Sequence, residues 1–200
     1  MAQQERAART RRALVKAAAS EFDRNGYDGT SLSQICKSAG ISIGALTFHF
    51  STKSELADAV QSCGQSATRV VVDRVTAHST PALNLAIDLT LQLARLLETE
   101  STVRSAARLT RERPGTAYGW SAAWAPTMHD LLARAHRDGQ LHAAASPGTV
   151  ATLAVYLLVG AEAHTRATCH SARMPGQGAV ELLSQIWELT LCGISPDGQA

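Results

Sequence analysis

Apolar residues recur at three- to four-residue spacing along most of the chain, which places them on one face of a helix, and no segment alternates with the period of a strand. Ala7, Leu14, Ala17, Ala18 and Phe22 predict a first helix over about residues 4–25. Asn25-Gly26 closes it, glycine being free to take the left-handed conformation that stops helices. Asp28-Gly29 then turns the chain, and Thr30 stands at an N-cap position before a short helix over 31–38, with Leu32, Ile35 and Cys36 on one face. Ala39-Gly40 breaks that helix. Ser42 caps a two-turn helix over 43–50, and Ser51 or Thr52 starts a longer one that begins at Lys53 and runs through Leu56 and Val60 towards Val75.

Beyond Pro81 the texture becomes richer in leucine. Helices are predicted over 82–97 (Leu85, Leu89, Leu93, Leu96), 102–111, 120–137, 149–168 and 179–192, with Arg113-Pro114-Gly115 as the clearest break and a His/Ser/Pro/Gly-rich loop over 170–178. The expected architecture is all-α: three short N-terminal helices (residues 1–52) followed by a bundle of about six longer ones (residues 53–200).

Composition sharpens this picture. Hydrophobic residues make up 45% of the chain and aromatics only 4%, so the core must be built from Ala, Leu and Val, which suit close helix packing. No apolar run reaches the ~18 residues of a membrane span, and the polar start MAQQERAARTRR lacks the apolar stretch of a signal peptide, which predicts a cytoplasmic protein with no membrane contact. Cys36, Cys63, Cys169 and Cys192 are too scattered for a zinc site or a disulfide framework, and no metal or cofactor is expected. Net charge is +2, but it is unevenly spread: eight Lys/Arg face six Asp/Glu in the first 60 residues, and eleven of each follow. Arg6, Arg9, Arg11, Arg12 and Lys16 form a basic arm that suits a polyanion.

A basic arm ahead of three short helices separated by glycine turns fits a helix-turn-helix module. In the turn Ser38-Ala39-Gly40-Ile41-Ser42, Gly40 supplies the permissive backbone, Ile41 plugs the small core and Ser42 starts the helix that would enter a groove. Gly44 and Ala45 lack bulk, so a duplex could approach closely; His49 and Lys53 are candidate phosphate contacts.

Residues 9–60 strongly resemble the N-terminal domain of TetR-family repressors in the A-x-x-x-F-D-R-N-G-Y run, Thr30, the A-G-I-S turn, G-A-L-x-F-H-F and the Lys-x-x-Leu at Lys53. The resemblance implies that the second and third helices read a double-stranded DNA operator. It gives Thr30, Ser42, Gly44, Ala45, Thr47, Phe48, His49 and Lys53 as DNA-face positions, with Leu46 and Phe50 packed inside. Two positions depart from the family. Ile43 stands where Lys, Arg or Gln is usual, and Thr47 where an aromatic, mostly Tyr, is usual. Ile43 thus enters the reading face without a charge, and Thr47 could touch a thymine methyl.

The segments 103–113 and 124–141, together with Phe48-His49-Phe50, resemble the γ-butyrolactone autoregulator receptors of that family. Such proteins repress antibiotic and regulatory genes until a small signal molecule releases them. The resemblance places Trp124 at the roof of a ligand pocket, where an indole would offer a flat apolar wall and one N–H donor to an effector with an apolar tail. Trp120, Leu85, Leu89, Leu93, Met128 and Tyr156 could line the rest. Leu157 replaces a threonine frequent in lactone receptors, which inclines the reading towards relatives that answer to antibiotics or biosynthetic intermediates.

Stripes at Val150, Leu153, Leu157 and Ala161, and at Leu182, Leu183, Ile186 and Leu191, with Trp187 as anchor, predict a homodimer through the last two helices. No enzyme is expected: His129 and His136, or His164, Cys169 and His170, lack the partners that catalysis or metal binding needs. The alternatives are a helical DNA-binding regulator without an effector and, more remotely, a small helical enzyme.

Overall fold

The computed structural model describes residues 2–115, 119–169 and 177–194. Among them are nine α-helices and no strand: α1 (Ala2–Asn25), α2 (Leu32–Ala39), α3 (Ile43–His49), α4 (Lys53–Thr76), α5 (Ala82–Thr99), α6 (Ser101–Glu112), α7 (Ala125–Arg137), α8 (Pro147–Cys169) and α9 (Ala179–Ile194), with a 3-10 turn at Trp120–Ala123.

The short helices are delimited by side chains and glycine. Ser31, not Thr30, caps α2: its hydroxyl accepts the Gln34 N–H at 3.2 Å, while the Gln34 side chain accepts the Ser31 N–H at 2.7 Å. Gly40, with φ +65°, ends the helix, and Ile41 N–H reaches back to the Cys36 carbonyl at 3.0 Å. Ser42 caps α3 through the Ala45 N–H at 3.2 Å, and Thr52 caps α4 through the Glu55 N–H at 3.0 Å. The continuous helix expected over 120–137 is instead a 3-10 turn and then α7. Pro126 explains the break, because proline near a helix start is welcome but its ring collides with a preceding helical turn.

The chain divides into two compact units, Met1–Ser66 with Glu100–Trp120, and Ala67–Thr99 with Ser121–Ala200. The division therefore does not fall at the expected boundary between residues 52 and 53. The first half of α4 buries Leu56, Ala57 and Val60 in the same core as Leu14, Phe22, Ile35, Leu46 and Phe50, and α6 adds Leu109 to it. In the second unit, α5, α7, α8 and α9 pack against one another around Leu89, Leu93, Leu132, Leu158 and Trp187, all buried.

Candidate nucleic-acid interface and effector bundle

In the first unit, α3 is anchored by Leu46 beneath it and by Phe50 at its end, both buried. This anchoring fixes which face looks outward. Ile43 is 53% exposed and Phe48 80%, unusual values for residues that gain by burial. Ser42, Gly44 and Thr47 are exposed beside them, and Ala45 and His49 are half-buried. A Cβ added at Gly44 would meet nothing within 4 Å, so the space over α3 is open to an incoming molecule. His49 meets Phe48 edge-to-face, with ring centroids 5.1 Å apart.

The charge comes from the neighbouring helices. Arg6, Arg9, Arg11, Arg12 and Lys16 are all exposed on α1, and Lys37 is exposed on α2. Arg11 also stacks its guanidinium 4.8 Å from the centre of the Phe50 ring, tying α1 to the end of α3. A basic arm beside a protruding helix that carries no Lys or Arg can hold phosphates while α3 meets base edges.

Two of the expected DNA contacts, Thr30 and Lys53, are engaged by the protein's own backbone. Thr30 is 2% exposed, and its hydroxyl donates to the carbonyls of Gly26 at 2.7 Å and Glu21 at 3.2 Å. Lys53 donates to the carbonyls of Tyr27 at 2.9 Å and Thr30 at 3.1 Å, and its ammonium lies 4.3 Å from the Tyr27 ring centre. Both side chains are used to hold the turn between α1 and α2. In the free protein they support the reading surface from beneath, Thr30 buried and Lys53 half-buried.

The other hold on that turn is α6, which the sequence reading assigned only to the second half of the chain. Arg104 pairs with Asp23 at 2.9 Å, their side chains 10% and 4% exposed. Arg108 donates to the Asp23 carbonyl at 2.8 Å and to Glu112 at 2.6 Å, while Glu112 accepts the Tyr27 N–H at 2.6 Å. Arg113 stacks 4.9 Å from the Tyr27 ring centre and reaches Asp58 at 2.8 Å and Ser54 at 2.7 Å. Gly26 sits at φ +76°, which disfavours any other residue, and an added Cβ would also come within 2.6 Å of Arg108 Nη2 and 2.8 Å of Glu112 Oε1, so both side-chain ends would have to shift. The signal for this joint was present in the four-residue spacing of Arg104, Arg108 and Glu112, which puts them on one face.

Of the expected effector residues, Leu85, Leu89 and Leu93 on α5, Met128 on α7 and Trp124 at the α7 N-cap are all at most 3% exposed, inside the second unit. Trp120 is also buried, but it belongs to the first unit, where its backbone N–H donates to the Thr110 hydroxyl at 2.8 Å. Tyr156 is 71% exposed on α8. It borders an apolar groove with Leu157, Gly160, Leu182 and Ile186, so it sits on the face expected to form a dimer rather than among the buried residues of α5 and α7. Trp187, expected to anchor that dimer, is 1% exposed within the protomer, as are Val150, Ala161 and Leu183 to within a few per cent. The outward face of α8 and α9 is thus narrower than the predicted stripes.

Among the described residues no three His, Cys, Asp or Glu side chains gather as metal ligands, and no helix is long and apolar enough to cross a membrane. His164 lies 2.9 Å from the Gln177 carbonyl; His170, considered with it, lies outside the described residues.

Residues 14–60 match the model of bacterial regulatory proteins of the tetR family. Over 200 residues, 99% of this chain and 68% of the relative, the sequence is 28% identical to the A-factor receptor protein of Streptomyces griseus. A γ-butyrolactone receptor described as ArpA-like superposes with a TM-score of 0.77 at 27% identity, covering 95% of this chain and 90% of the other. TylP, a TetR regulator from Streptomyces fradiae, is 31% identical with a TM-score of 0.64, covering 96% and 90% respectively.

Proposed function

The chain belongs to the TetR family of bacterial regulators, and on that premise we propose that it is a homodimeric repressor released from its operator by a small molecule with an apolar tail. One observation carries the DNA-binding half of the reading: α3 protrudes with an open face free of Lys, Arg, Asp and Glu beside a row of exposed cations on α1. The effector is of the γ-butyrolactone type, or an antibiotic or biosynthetic intermediate, and the controlled genes belong to antibiotic or other secondary metabolism. The names of the A-factor and γ-butyrolactone receptors support that class.

Trp124, Met128, Leu85, Leu89 and Leu93 supply an apolar setting for such a tail, and the exposed apolar face of α8 and α9 suits a symmetric contact between two copies. Two copies present two α3 helices to a pseudo-palindrome about one helical turn across. The mechanism runs along α4, one continuous helix whose residues 53–66 lie in one unit and 67–76 in the other. An effector that binds better when the two reading helices are wrongly spaced releases the DNA, and a difference of about 1–3 kcal/mol changes affinity roughly 5–150-fold.

A mobility-shift assay with DNA from upstream of the gene tests this. A synthetic alkyl γ-butyrolactone, or a culture extract of the source organism, should abolish the shift for wild type and not for Trp124→Ala. Trp124→Phe, which leaves less of a cavity, should respond only at higher concentration. Equal release of all three proteins would remove Trp124 from the effector site. A shift insensitive to every extract would favour a regulator without an effector.

A further inference from the structure

The most exposed side chains of α3 are poor in hydrogen-bonding groups, which limits what they can read; half-buried His49, at the end of the helix, is the exception. Ile43 has no polar atom, and neither does Phe48; they are 53% and 80% exposed. Thr47, one turn after Ile43, donates its hydroxyl to the Gly44 carbonyl at 3.1 Å, which engages its one O–H donor and leaves a methyl and an acceptor oxygen to a partner. Gly44 and Ala45 contribute no donor, and the Ser42 hydroxyl accepts the Ala45 N–H. The outward surface of this helix therefore lacks the Arg, Lys, Asn or Gln side chains that recognise guanine or adenine by paired hydrogen bonds. Within α1 to α3, Lys and Arg occur only on α1 and α2, where they can hold phosphates without choosing a sequence. In the major groove only one base feature is itself apolar, the 5-methyl group of thymine.

We propose that α3 selects its operator through thymine methyl groups, with Ile43, Thr47 and Phe48 as an apolar reading surface and the α1 cations as a sequence-blind grip. The proposal rests on the DNA-binding reading above and adds the chemistry by which sequence is chosen. The half-site core that α3 covers is then rich in A·T pairs whose thymines face the helix. A 5-methylcytosine, which carries the same methyl at the same place in the groove, substitutes for thymine better than cytosine does.

The test uses the full-length protein and duplexes of about one to three helical turns selected from a random library, with binding followed by fluorescence anisotropy. If no duplex is selected over competitor, the DNA-binding reading fails and this proposal fails with it. In a selected duplex, replacing each thymine by deoxyuridine removes the methyl and little else. Each contacted methyl lost should weaken binding about fourfold, the value of one buried methyl-sized group; deoxyuridine outside the half-sites should have no effect. Placing 5-methylcytosine rather than cytosine at a sensitive position should recover most of the corresponding loss. Ile43→Ala and Phe48→Ala, both at exposed positions, should lower affinity and shrink the deoxyuridine effect at the positions they cover. Selected duplexes that bind equally well with thymine and with deoxyuridine would overturn the proposal, and so would a consensus dominated by G·C pairs.

Discussion

Lys53, expected to meet a phosphate, also holds its own protein together. Its ammonium is committed to two backbone carbonyls, 2.9 and 3.1 Å away, and to the face of Tyr27. Hydrogen bonds from a charged group each contribute about 1.5–3 kcal/mol, so Lys53→Met should destabilise the first unit by about 2 kcal/mol in urea unfolding. A side chain serving only as a phosphate contact would leave the unfolding midpoint unchanged and lower the salt dependence of DNA binding. Cys36 offers a second residue-scale contrast. It is 8% exposed and burial raises its thiol pKa, whereas Cys63 is exposed. Native protein treated with a maleimide near neutral pH should be labelled at Cys63 and spared at Cys36 until denaturant is added, as read by mass spectrometry of peptides. The exposure of Ile43, Gly44, Thr47 and Phe48 was legible in the sequence because the helix is two turns long and Leu46 and Phe50 define its inner side. The internal bonds of Thr30 and Lys53 were not legible, because their partners are backbone carbonyls, which carry no sequence signature.

At the scale of elements, the joint between α6 and the turn after α1 sets the stability of the reading unit. Asp23 and Arg104 form a nearly buried pair, and removing one partner of such a pair strands the other charge at a cost of about 3–5 kcal/mol. Arg104→Ala should therefore lower the thermal midpoint strongly. The double variant Asp23→Leu with Arg104→Met, which removes both charges, should recover much of that loss in calorimetry. If single and double variants were equally unstable, packing rather than charge would hold the joint. Helix identities and most boundaries followed from apolar spacing, Ser caps and glycine stops. The split before α7 did not, because Trp120, Ala122 and Ala123 keep a helical pattern up to Pro126, and the periodicity gave no reason to stop.

At the scale of the whole molecule, the exposed apolar face of α8 and α9 makes association of two copies the main expectation. Ile186, 37% exposed, borders that groove. Ile186→Glu should shift the mass seen by light scattering towards the monomer and weaken operator binding by more than tenfold, since each copy would then bind alone. An unchanged dimer would move the interface to another face. Sequence periodicity identified both helices but overestimated the stripe, because Val150, Ala161, Leu183 and Trp187 satisfy their own protomer first. The division into units was the least legible feature of all. Local patterns showed a change of texture after Pro81, and the one-face spacing of Arg104, Arg108 and Glu112 marks α6 as a charged joint without saying that its partners lie in the first 66 residues.

That return has a consequence for the order in which the protein is made. A ribosome releases α1 to α3 long before it reaches Leu109, Arg104 and Arg108, so the nascent helix-turn-helix waits with one side of α1 uncovered. A fragment ending at residue 66 should lack a cooperative melting transition, and one extended through residue 113 by a linker replacing 67–99 should regain it. Anyone building a chimera to redirect this reading head must therefore transplant two pieces of chain, and a graft cut at the end of the recognisable motif would arrive without its lining.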